Sequence, residues 1–185
     1  AEGSVGAGTG ATVGKGAGGD TAMKGGFGCV VREAGGVYLA AMAVVNALGD
    51  VRSADGAIIA GARDRRGTFL DSSRALSEHA QHQKFGAGAG HNTTLCVVAT
   101  NASLERSELA QLARAAGAAL FRRITPVGTS FDGDVIFALA TPDGPPGTLM
   151  SLEIHAVAAL EDAIERGVRL AAGGHNVPGL ADRSK

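Results

Sequence analysis

The chain has 185 residues, of which 45% are hydrophobic, and its formal net charge at pH 7 is -1. These values are typical of one globular domain with its own core and argue against intrinsic disorder. The near-zero charge gives no electrostatic reason to expect nucleic acid or an anionic membrane as a partner. In the sequence, no apolar run reaches membrane-spanning length, and no charged segment followed by an apolar one marks a secretory signal.

Glycine is unusually frequent, with 29 residues, whereas tryptophan is absent and tyrosine occurs once. Such a chain builds tight turns and close backbone approaches rather than an aromatic core. The two cysteines, Cys29 and Cys96, each lie in an apolar run. We therefore expect no disulfide scaffold and a reducing, cytoplasmic location.

The first half of the chain predicts short strands behind a glycine-rich start. Residues 1–19 alternate glycine with small residues, which is typical either of a flexible tail or of backbone packed closely around a site. Runs rich in Val and Ile, separated by Gly-Gly or Gly-Asp turns, predict neighbouring antiparallel strands at 28–33, 37–45 and 57–62. The polar stretch 63–90 predicts a surface connection whose middle, SSRALSEHAQHQ, is compatible with one short helix.

The second half predicts alternating strands and helices. Continuous apolar runs predict strands at 94–100 and 135–140, and the second of these ends at the turn PDGPPG. Between them, apolar residues repeat at helical spacing from Leu109 to Leu120, with acidic residues early and arginines late, as the helix dipole favours. A long amphipathic helix is predicted over 149–170. Antiparallel strands with helices on one face of the sheet form an α+β layer.

The glycine-rich start resembles a phosphate-binding loop, but the match fails twice. Thr9 stands where the loop needs glycine, and Gly16 stands where it needs Ser or Thr after Lys15. A loose dinucleotide fingerprint in the same stretch lacks a preceding strand and a suitably placed acid. Lys15 is either a solvated loop residue or a buried amine with a lowered pKa, and sequence alone favours the solvated interpretation.

Two further polar pairs have simple structural interpretations. Asp132 and Asp134 flank Gly133 just before a strand, and they fit a turn better than a divalent cation site because the other ligands of a calcium loop are missing. His79 and His82 lie three residues apart, but two further ligands are not evident. Two exposed histidines are therefore favoured over a zinc site.

The junction Asn92-Thr93 is more informative by its position. The glycine-rich segment FGAGAGH leads into it, and an apolar strand follows at once. A Thr hydroxyl at such a junction can attack the preceding carbonyl, and hydrolysis of the resulting ester frees the Thr α-amine. That amine, with a pKa of about 7.7–8.0, can act as base for its own Oγ. Spacing alone leaves this a minority interpretation, because many strands begin with Thr.

Four motifs follow one another along the chain: GAGTGATVGK, VVNALGDV, HNTTLCVVATN and TSFDGDVIFALAT. In this order they resemble the DmpA-type self-processing aminopeptidases, a family that includes β-peptidyl aminopeptidases and the nylon-oligomer hydrolase NylC. The resemblance runs from residue 3 to about 141. It implies an α+β fold of the N-terminal-nucleophile type, a four-layer αββα sandwich. Family precursors carry a substantial segment ahead of the glycine-rich run, so the sandwich is expected to be incomplete at its N-terminus if that segment is missing.

The resemblance also implies the processing site. A single domain, 1–185, would cut itself between Asn92 and Thr93 into 1–92 and 93–185. Thr93 would be both the processing residue and the nucleophile, and Asn46 would donate a hydrogen bond to the oxyanion. No metal or organic cofactor would be needed.

The remaining implied site residues are charged. Lys15 corresponds to a lysine that NylC-like members carry near the nucleophile, which reverses the interpretation favoured by sequence alone. Asp132 and Asp134 correspond to the polar pair that orients the nucleophile and its amine.

The implied function is hydrolysis of amide bonds in peptides or ω-amino-acid oligomers through an acyl-enzyme. A cytoplasmic homo-oligomer, tetrameric by resemblance, is expected, with no nucleic-acid or membrane partner. Two alternatives stay open: an acyltransferase like the ornithine acetyltransferases, which use a similar self-freed Thr, and a partial fold acting as a non-enzymatic interaction domain. The sequence does not choose among β-peptides, short α-peptides, D-alanyl amides and 6-aminohexanoate oligomers.

Overall fold

The structure is a computed structural model that describes residues 1–79 and 92–182. Its elements are, in chain order, β1 (Thr12–Val13), β2 (Met23–Lys24), β3 (Gly26–Ala34), β4 (Val37–Val45), β5 (Asp50–Arg52), β6 (Ile58–Ala60), α1 (Ser72–His79), β7 (Leu95–Thr100), α2 (Arg106–Ala116), α3 (Ala118–Arg123), β8 (Ile124–Thr125), β9 (Val135–Ala140) and α4 (Leu149–Arg169). Two single-turn helices, at Gly6–Gly8 and Gly19–Thr21, lie within the glycine-rich start.

The largest sheet has four strands in the order β3-β4-β7-β9. β3 and β4 form an antiparallel hairpin whose turn residues, Gly35 and Gly36, both have positive φ, at 61° and 82°. β7 pairs antiparallel with β4, but β9 lies parallel to β7 because α2 and α3 carry the chain back to the same end of the sheet. The antiparallel pairing predicted for the first two strands is confirmed, and the sheet is mixed because its last strand is parallel.

One face of this sheet packs against α4 and α2. Along β4 every second residue, from Leu39 to Val45, is buried against the helices, as the two-residue strand period requires. Glycine lets α4 come close, since a Cβ on Gly28 would lie 2.0 Å from the carbonyl oxygen of Ala163. The glycine- and alanine-rich composition thus produces close helix-on-sheet packing in place of an aromatic core.

The opposite face of the sheet is also apolar. The strand register arranges its side chains in three rows: Phe27, Val44, Leu95 and Val135; Cys29, Met42, Val97 and Phe137; Val31, Ala40, Ala99 and Leu139. Val31, Phe137 and Leu139 keep 61%, 55% and 56% of their surface exposed. The large sheet thus carries a helical layer on one face and presents apolar side chains on the other, which confirms the α+β class.

The third predicted strand belongs to a different sheet. It is observed as β6, in a three-stranded sheet of order β6-β5-β8, so the prediction that it neighbours the first two strands was wrong. The chain leaves β4 through residues 46–49 and enters β5 at Asp50. The buried Asp50 carboxylate accepts hydrogen bonds from the Ala62 N–H (2.8 Å), the Ser72 hydroxyl (2.6 Å) and the Ser72 N–H (2.6 Å), which fixes the start of α1.

The remaining elements follow the predictions with small differences. The helix predicted between β7 and β9 is divided at Gly117 into α2 and α3, and a capping box between Glu105 and Glu108 begins it. The helix in the middle of 63–90 is α1, and the rest of that stretch lies outside the described residues. Cys29 and Cys96 are both free thiols. Within residues 1–79 and 92–182, no helix has the length and apolar character needed to cross a membrane.

Candidate active site

The candidate cleavage junction lies where the paired strands β7 and β9 begin. There the Val135 N–H donates to the Thr94 carbonyl at 3.2 Å, and the Gly133 N–H donates to the Asn92 carbonyl at 2.9 Å. Between these two bonds, the Thr94 N–H donates to the side chain of Asp134 at 2.7 Å. Residues 92–94 and 132–134 therefore run side by side, so the junction is held against the Asp-Gly-Asp segment.

Thr93 is half-buried and contacts the main chain of Asn46 and of Gly133. Its N–H donates to the main-chain carbonyl of Asn46 at 2.8 Å. Its hydroxyl lies against Gly133, where a Cβ would stand 2.7 Å from Thr93 Oγ1. Glycine has no Cβ, so position 133 leaves room for the hydroxyl beside the Asn92 carbonyl.

The glycine-rich start is backbone packed closely around the site, not a flexible tail. The N–H groups of Gly14 and Lys15 donate to the carbonyls of Gly49 and Leu48, both at 2.9 Å. A Cβ on Gly14 would lie 1.9 Å from the Ala62 nitrogen, so only glycine fits there. These contacts hold the Lys15 loop against the end of β4.

Asn46 joins this loop to Thr93. Its side-chain oxygen accepts hydrogen bonds from the Lys15 ammonium at 2.9 Å and from the Thr12 N–H at 3.2 Å. Its main-chain oxygen accepts the Thr93 N–H. The two bonds to its side-chain oxygen therefore fix the orientation of the Asn46 amide. Through its main-chain oxygen, Asn46 also connects Lys15 to the nitrogen of the candidate scissile peptide bond.

Lys15 is a half-buried amine. Burial lowers its pKa from the ordinary value of 10.5 to about 8, and the negative charge of Asp132 opposes that shift by raising it. A fraction of Lys15 is therefore neutral at mildly alkaline pH and able to accept a proton. The solvated interpretation favoured by sequence alone was wrong, because the loop packs Lys15 against Asn46.

The two acids of the Asp-Gly-Asp segment have different surroundings. Burial raises the pKa of Asp134, the Thr94 N–H lowers it in part, and the neighbouring charge of Asp132 raises it further. Asp132 accepts hydrogen bonds from the N–H and hydroxyl of Thr129 at 2.9 and 2.7 Å, which closes the turn that the sequence predicted. Asp132 thus holds the loop and also raises the pKa of Lys15.

A cysteine also lies near this site. Burial raises the pKa of the Cys96 thiol to about 12, and the charge of Asp134 raises it in the same direction. A thiol with this pKa is neutral near pH 7 and a poor nucleophile. The hydroxyl of Thr93 is the better placed nucleophile of the two.

Residues 1–79 and 92–182 contain no group of three His, Cys, Asp or Glu side chains placed to hold a metal ion. His82 and the side chain of His79 lie outside the described residues, so the weak zinc hypothesis concerns a part that the structure does not describe.

The residues predicted from the motifs converge in one cluster. The contacts described above link six residues: Lys15, Asn46, Asn92, Thr93, Asp132 and Asp134. Sequence reasoning missed one group, the main-chain N–H of Gly133 that contacts the Asn92 carbonyl. A glycine between two acids immediately before a strand was the available signal, because it marks a close backbone approach.

Comparison with known families gives a match over most of the chain. The model of "Peptidase family S58" matches residues 1–174. A 6-aminohexanoate-oligomer endohydrolase of Kocuria sp. is 30% identical over 143 residues, covering 72% of this chain and 39% of the relative. An uncharacterised aminopeptidase of Mycobacterium leprae is 35% identical over 144 residues, covering 76% of this chain and 37% of the relative. The chain thus spans less than half the length of these relatives.

Solved structures show the same fold. A Burkholderia sp. beta-aminopeptidase superposes with a TM-score of 0.59 at 22% identity, over 98% of this chain and 51% of its own. The L-aminopeptidase D-Ala-esterase/amidase of Ochrobactrum anthropi, described as a variant of the Ntn hydrolase fold, superposes with a TM-score of 0.53 at 22% identity, over 89% of this chain and 48% of its own.

Proposed function

The chain belongs to peptidase family S58, the DmpA family, and from this we propose that it is an N-terminal-nucleophile amide hydrolase that cuts itself between Asn92 and Thr93. One observation carries the proposal. The Thr93 hydroxyl and the Asn92 carbonyl oxygen lie together over Gly133, and the Gly133 N–H is bonded to that oxygen. The nucleophile and a polarised carbonyl therefore share one small site.

The first reaction is an N-to-O acyl shift. Thr93 Oγ loses its proton and bonds to the Asn92 carbonyl carbon, the bond from that carbon to the Thr93 nitrogen breaks, and the nitrogen takes up a proton. Water then hydrolyses the ester, which releases the Asn92 carboxylate and restores the hydroxyl. The neutral fraction of Lys15, with its pKa of about 8, supplies a base for the first proton transfer.

The second reaction is turnover of an external amide. Thr93 Oγ attacks the substrate carbonyl, the freed α-amine carries the proton to the leaving amine, and water releases the acid from the acyl-enzyme. The Asn46 side chain stabilises the oxyanion, while Asp132 and Asp134 orient the nucleophile and its amine. In the uncleaved chain the Thr93 nitrogen already donates to the Asn46 carbonyl at 2.8 Å, a contact that would hold the amine once it is free.

The proposed substrates are short amides built from amino acids, namely ω-amino-acid oligomers or peptides. Relatives named as 6-aminohexanoate-oligomer endohydrolase and beta-aminopeptidase support this class. A panel of 6-aminohexanoate oligomers, β-peptides, short α-peptides and D-alanyl amides separates the members. Release of a new amine from at least one of them is the expected result.

The self-cleavage is tested by intact mass and N-terminal sequencing of the purified protein. We expect two pieces, 1–92 and 93–185, and a chain that begins Thr-Thr-Leu-Cys-Val. The Thr93→Val variant has nearly the same shape without the hydroxyl and should remain one chain. Active wild-type material that stays unbroken would contradict the proposal.

We also propose that the second apolar face of the large sheet packs against another sheet, which would complete the four-layer αββα sandwich of an assembled homo-oligomeric enzyme. The rows of Phe137 and Leu139 on that face support this packing. Phe137→Asp should then reduce the free energy of unfolding by about 2–4 kcal/mol, the scale of burying an unpaired charge in a core. The control is Phe121→Asp on the helical layer, where 70% of the side chain is exposed. Equal effects of the two substitutions would argue against a covered face.

A further inference from the structure

We propose that the main-chain N–H of Gly133 is the oxyanion donor of the self-cleavage step. This inference rests on the proposed function, but it assigns a group that none of the sequence motifs identified. It also separates two oxyanion donors: the Gly133 N–H acts in self-cleavage, and the Asn46 side chain acts in turnover of an external amide.

The peptide bond between Asn92 and Thr93 is held at both of its polar atoms. Its oxygen accepts the Gly133 N–H at 2.9 Å, and its N–H donates to the main-chain oxygen of Asn46 at 2.8 Å. The two polar atoms of this one peptide bond are thus bound by different parts of the chain. The bond is fixed in position before any chemistry takes place.

The direction of the Gly133 N–H is fixed by its neighbours. The neighbouring Val135 N–H donates to the Thr94 carbonyl, and the Asp132 N–H donates to the Thr129 carbonyl at 3.1 Å, so the backbone on both sides of Gly133 is tied down. A donor that is already aligned needs no reorganisation when charge develops on its acceptor. The Gly133 N–H meets this condition.

Negative charge develops on the Asn92 carbonyl oxygen during the reaction. When Thr93 Oγ bonds to the Asn92 carbonyl carbon, the electron pair of the C=O double bond moves onto the oxygen. This oxygen is the atom that Gly133 contacts, so its hydrogen bond becomes charge-assisted and stronger in the tetrahedral intermediate than in the starting amide. When the intermediate collapses to the ester, the pair returns and the nitrogen leaves with its added proton.

Position 133 is glycine for a steric reason. Its φ lies outside the positive range, so backbone strain does not require glycine here. Steric room does, because a Cβ would lie 2.7 Å from Thr93 Oγ1 and 3.8 Å from the Asn92 oxygen. The same residue therefore presents its N–H to the oxygen and leaves space for the attacking hydroxyl.

Replacement of Gly133 by glycolic acid tests the donor itself, because it changes one amide into an ester and adds no Cβ. Loss of one oxyanion donor should slow self-cleavage by about 10²- to 10³-fold. The matched control is glycolic acid at Gly67, whose N–H donates to the Asp64 carbonyl at 3.0 Å in an exposed turn. This control should cleave at the rate of the unmodified chain. Cleavage of the Gly133 ester at the same rate as the Gly67 ester would overturn the inference.

The outcomes separate the two proposals. If the unmodified protein does not cut itself at all, the proposed function fails; if it does and the Gly133 ester cleaves equally fast, only the present inference fails. A second measurement avoids any folding defect of the ester. In uncleaved Thr93→Ala protein, the N–H of the exposed Gly133 should exchange with solvent much more slowly than a free peptide N–H. Exchange at the free-peptide rate would mean that the bond is absent and would also overturn the inference.

Discussion

Asp50 and Asp134 are carboxylates in two regions of the molecule, and burial raises the pKa of both. Asp50 is fully buried and accepts three hydrogen bonds, from Ala62 and from both donors of Ser72. Asp134 is half-buried, accepts the Thr94 N–H, and lies near the like charge of Asp132. The donors of Asp50 join the start of β5 to Ala62 and to the start of α1, whereas the donor of Asp134 belongs to the candidate cleavage junction.

The number of donors around a buried acid indicates whether it serves the fold or the chemistry. A carboxylate with several protein donors stabilises the elements that supply them, because its removal leaves those donors buried and unpaired. A carboxylate with fewer donors, close to another acid and to a nucleophile, keeps acceptor capacity for an external proton or amine. Asp50 therefore should matter for folding, and Asp134 for activity.

The largest expected effect is on stability, from Asp50→Ala. This change leaves the Ala62 N–H and the two Ser72 donors without their acceptor, so the free energy of unfolding should fall by about 3–5 kcal/mol. Chemical denaturation measures the loss. The exposed Asp143→Ala is the control and should change stability by less than about 0.5 kcal/mol. Similar values for the two variants would remove Asp50 from its structural role.

Asp134→Asn should leave stability almost unchanged and reduce activity. The Asn side-chain oxygen can still accept the Thr94 N–H, so the free energy of unfolding should change by less than about 1 kcal/mol. Loss of the charge that orients the nucleophile and its amine should nevertheless slow amide hydrolysis by about 10²-fold, the scale of a misplaced reacting group. Activity assays and denaturation on the same sample check both parts. A fully active Asp134→Asn protein would show that this carboxylate is not needed for hydrolysis.

The fold and the site differ in how far the sequence predicted them. Apolar periodicity predicted β4, β9 and α4 almost to the residue, because burial of one face is a local pattern. The parallel pairing of β9 and the separate sheet of β6 could not be predicted, because the register between distant strands depends on how the connections cross the fold.

In the site, too, local motifs were predicted and contacts between distant residues were not. The residues of the cluster were identified by their motifs, and Lys15 was assigned to solvent when its spacing alone was considered. Its lowered pKa arises from burial, since the fold packs Lys15 against Asn46, a residue far along the chain, while the charge of Asp132 opposes the shift. The Gly133 donor escaped notice because every non-proline residue carries the same N–H, and only the fold decides where it points.

A smaller effect concerns the pH profile of self-cleavage. This reaction reports on Lys15 without interference, because the Thr93 nitrogen is still in a peptide bond and has no α-amine to titrate. The neutral amine is the base, so the rate should rise with pH through about 8. Asp132 raises the pKa of Lys15, so Asp132→Asn should move this rise to lower pH. The exposed Asp143→Asn should leave it in place, and a shift of the Asp132 variant to higher pH would exclude Lys15 as the base.

The smallest expected effect on the rate is that of Thr93→Ser. Serine keeps the hydroxyl and loses only a methyl group, and Gly133 leaves the space around Oγ free of side-chain atoms on that side. Self-cleavage should therefore stay within about tenfold of the wild-type rate, a change of about 1.4 kcal/mol in the barrier. Because Asp134 is proposed to act on this hydroxyl and its amine, Asp134→Asn should slow the Thr93→Ser enzyme by the same factor as the wild type. A Ser enzyme that is insensitive to Asp134→Asn would show that the carboxylate acts elsewhere, and Asp134 would then join Asp50 as a structural residue.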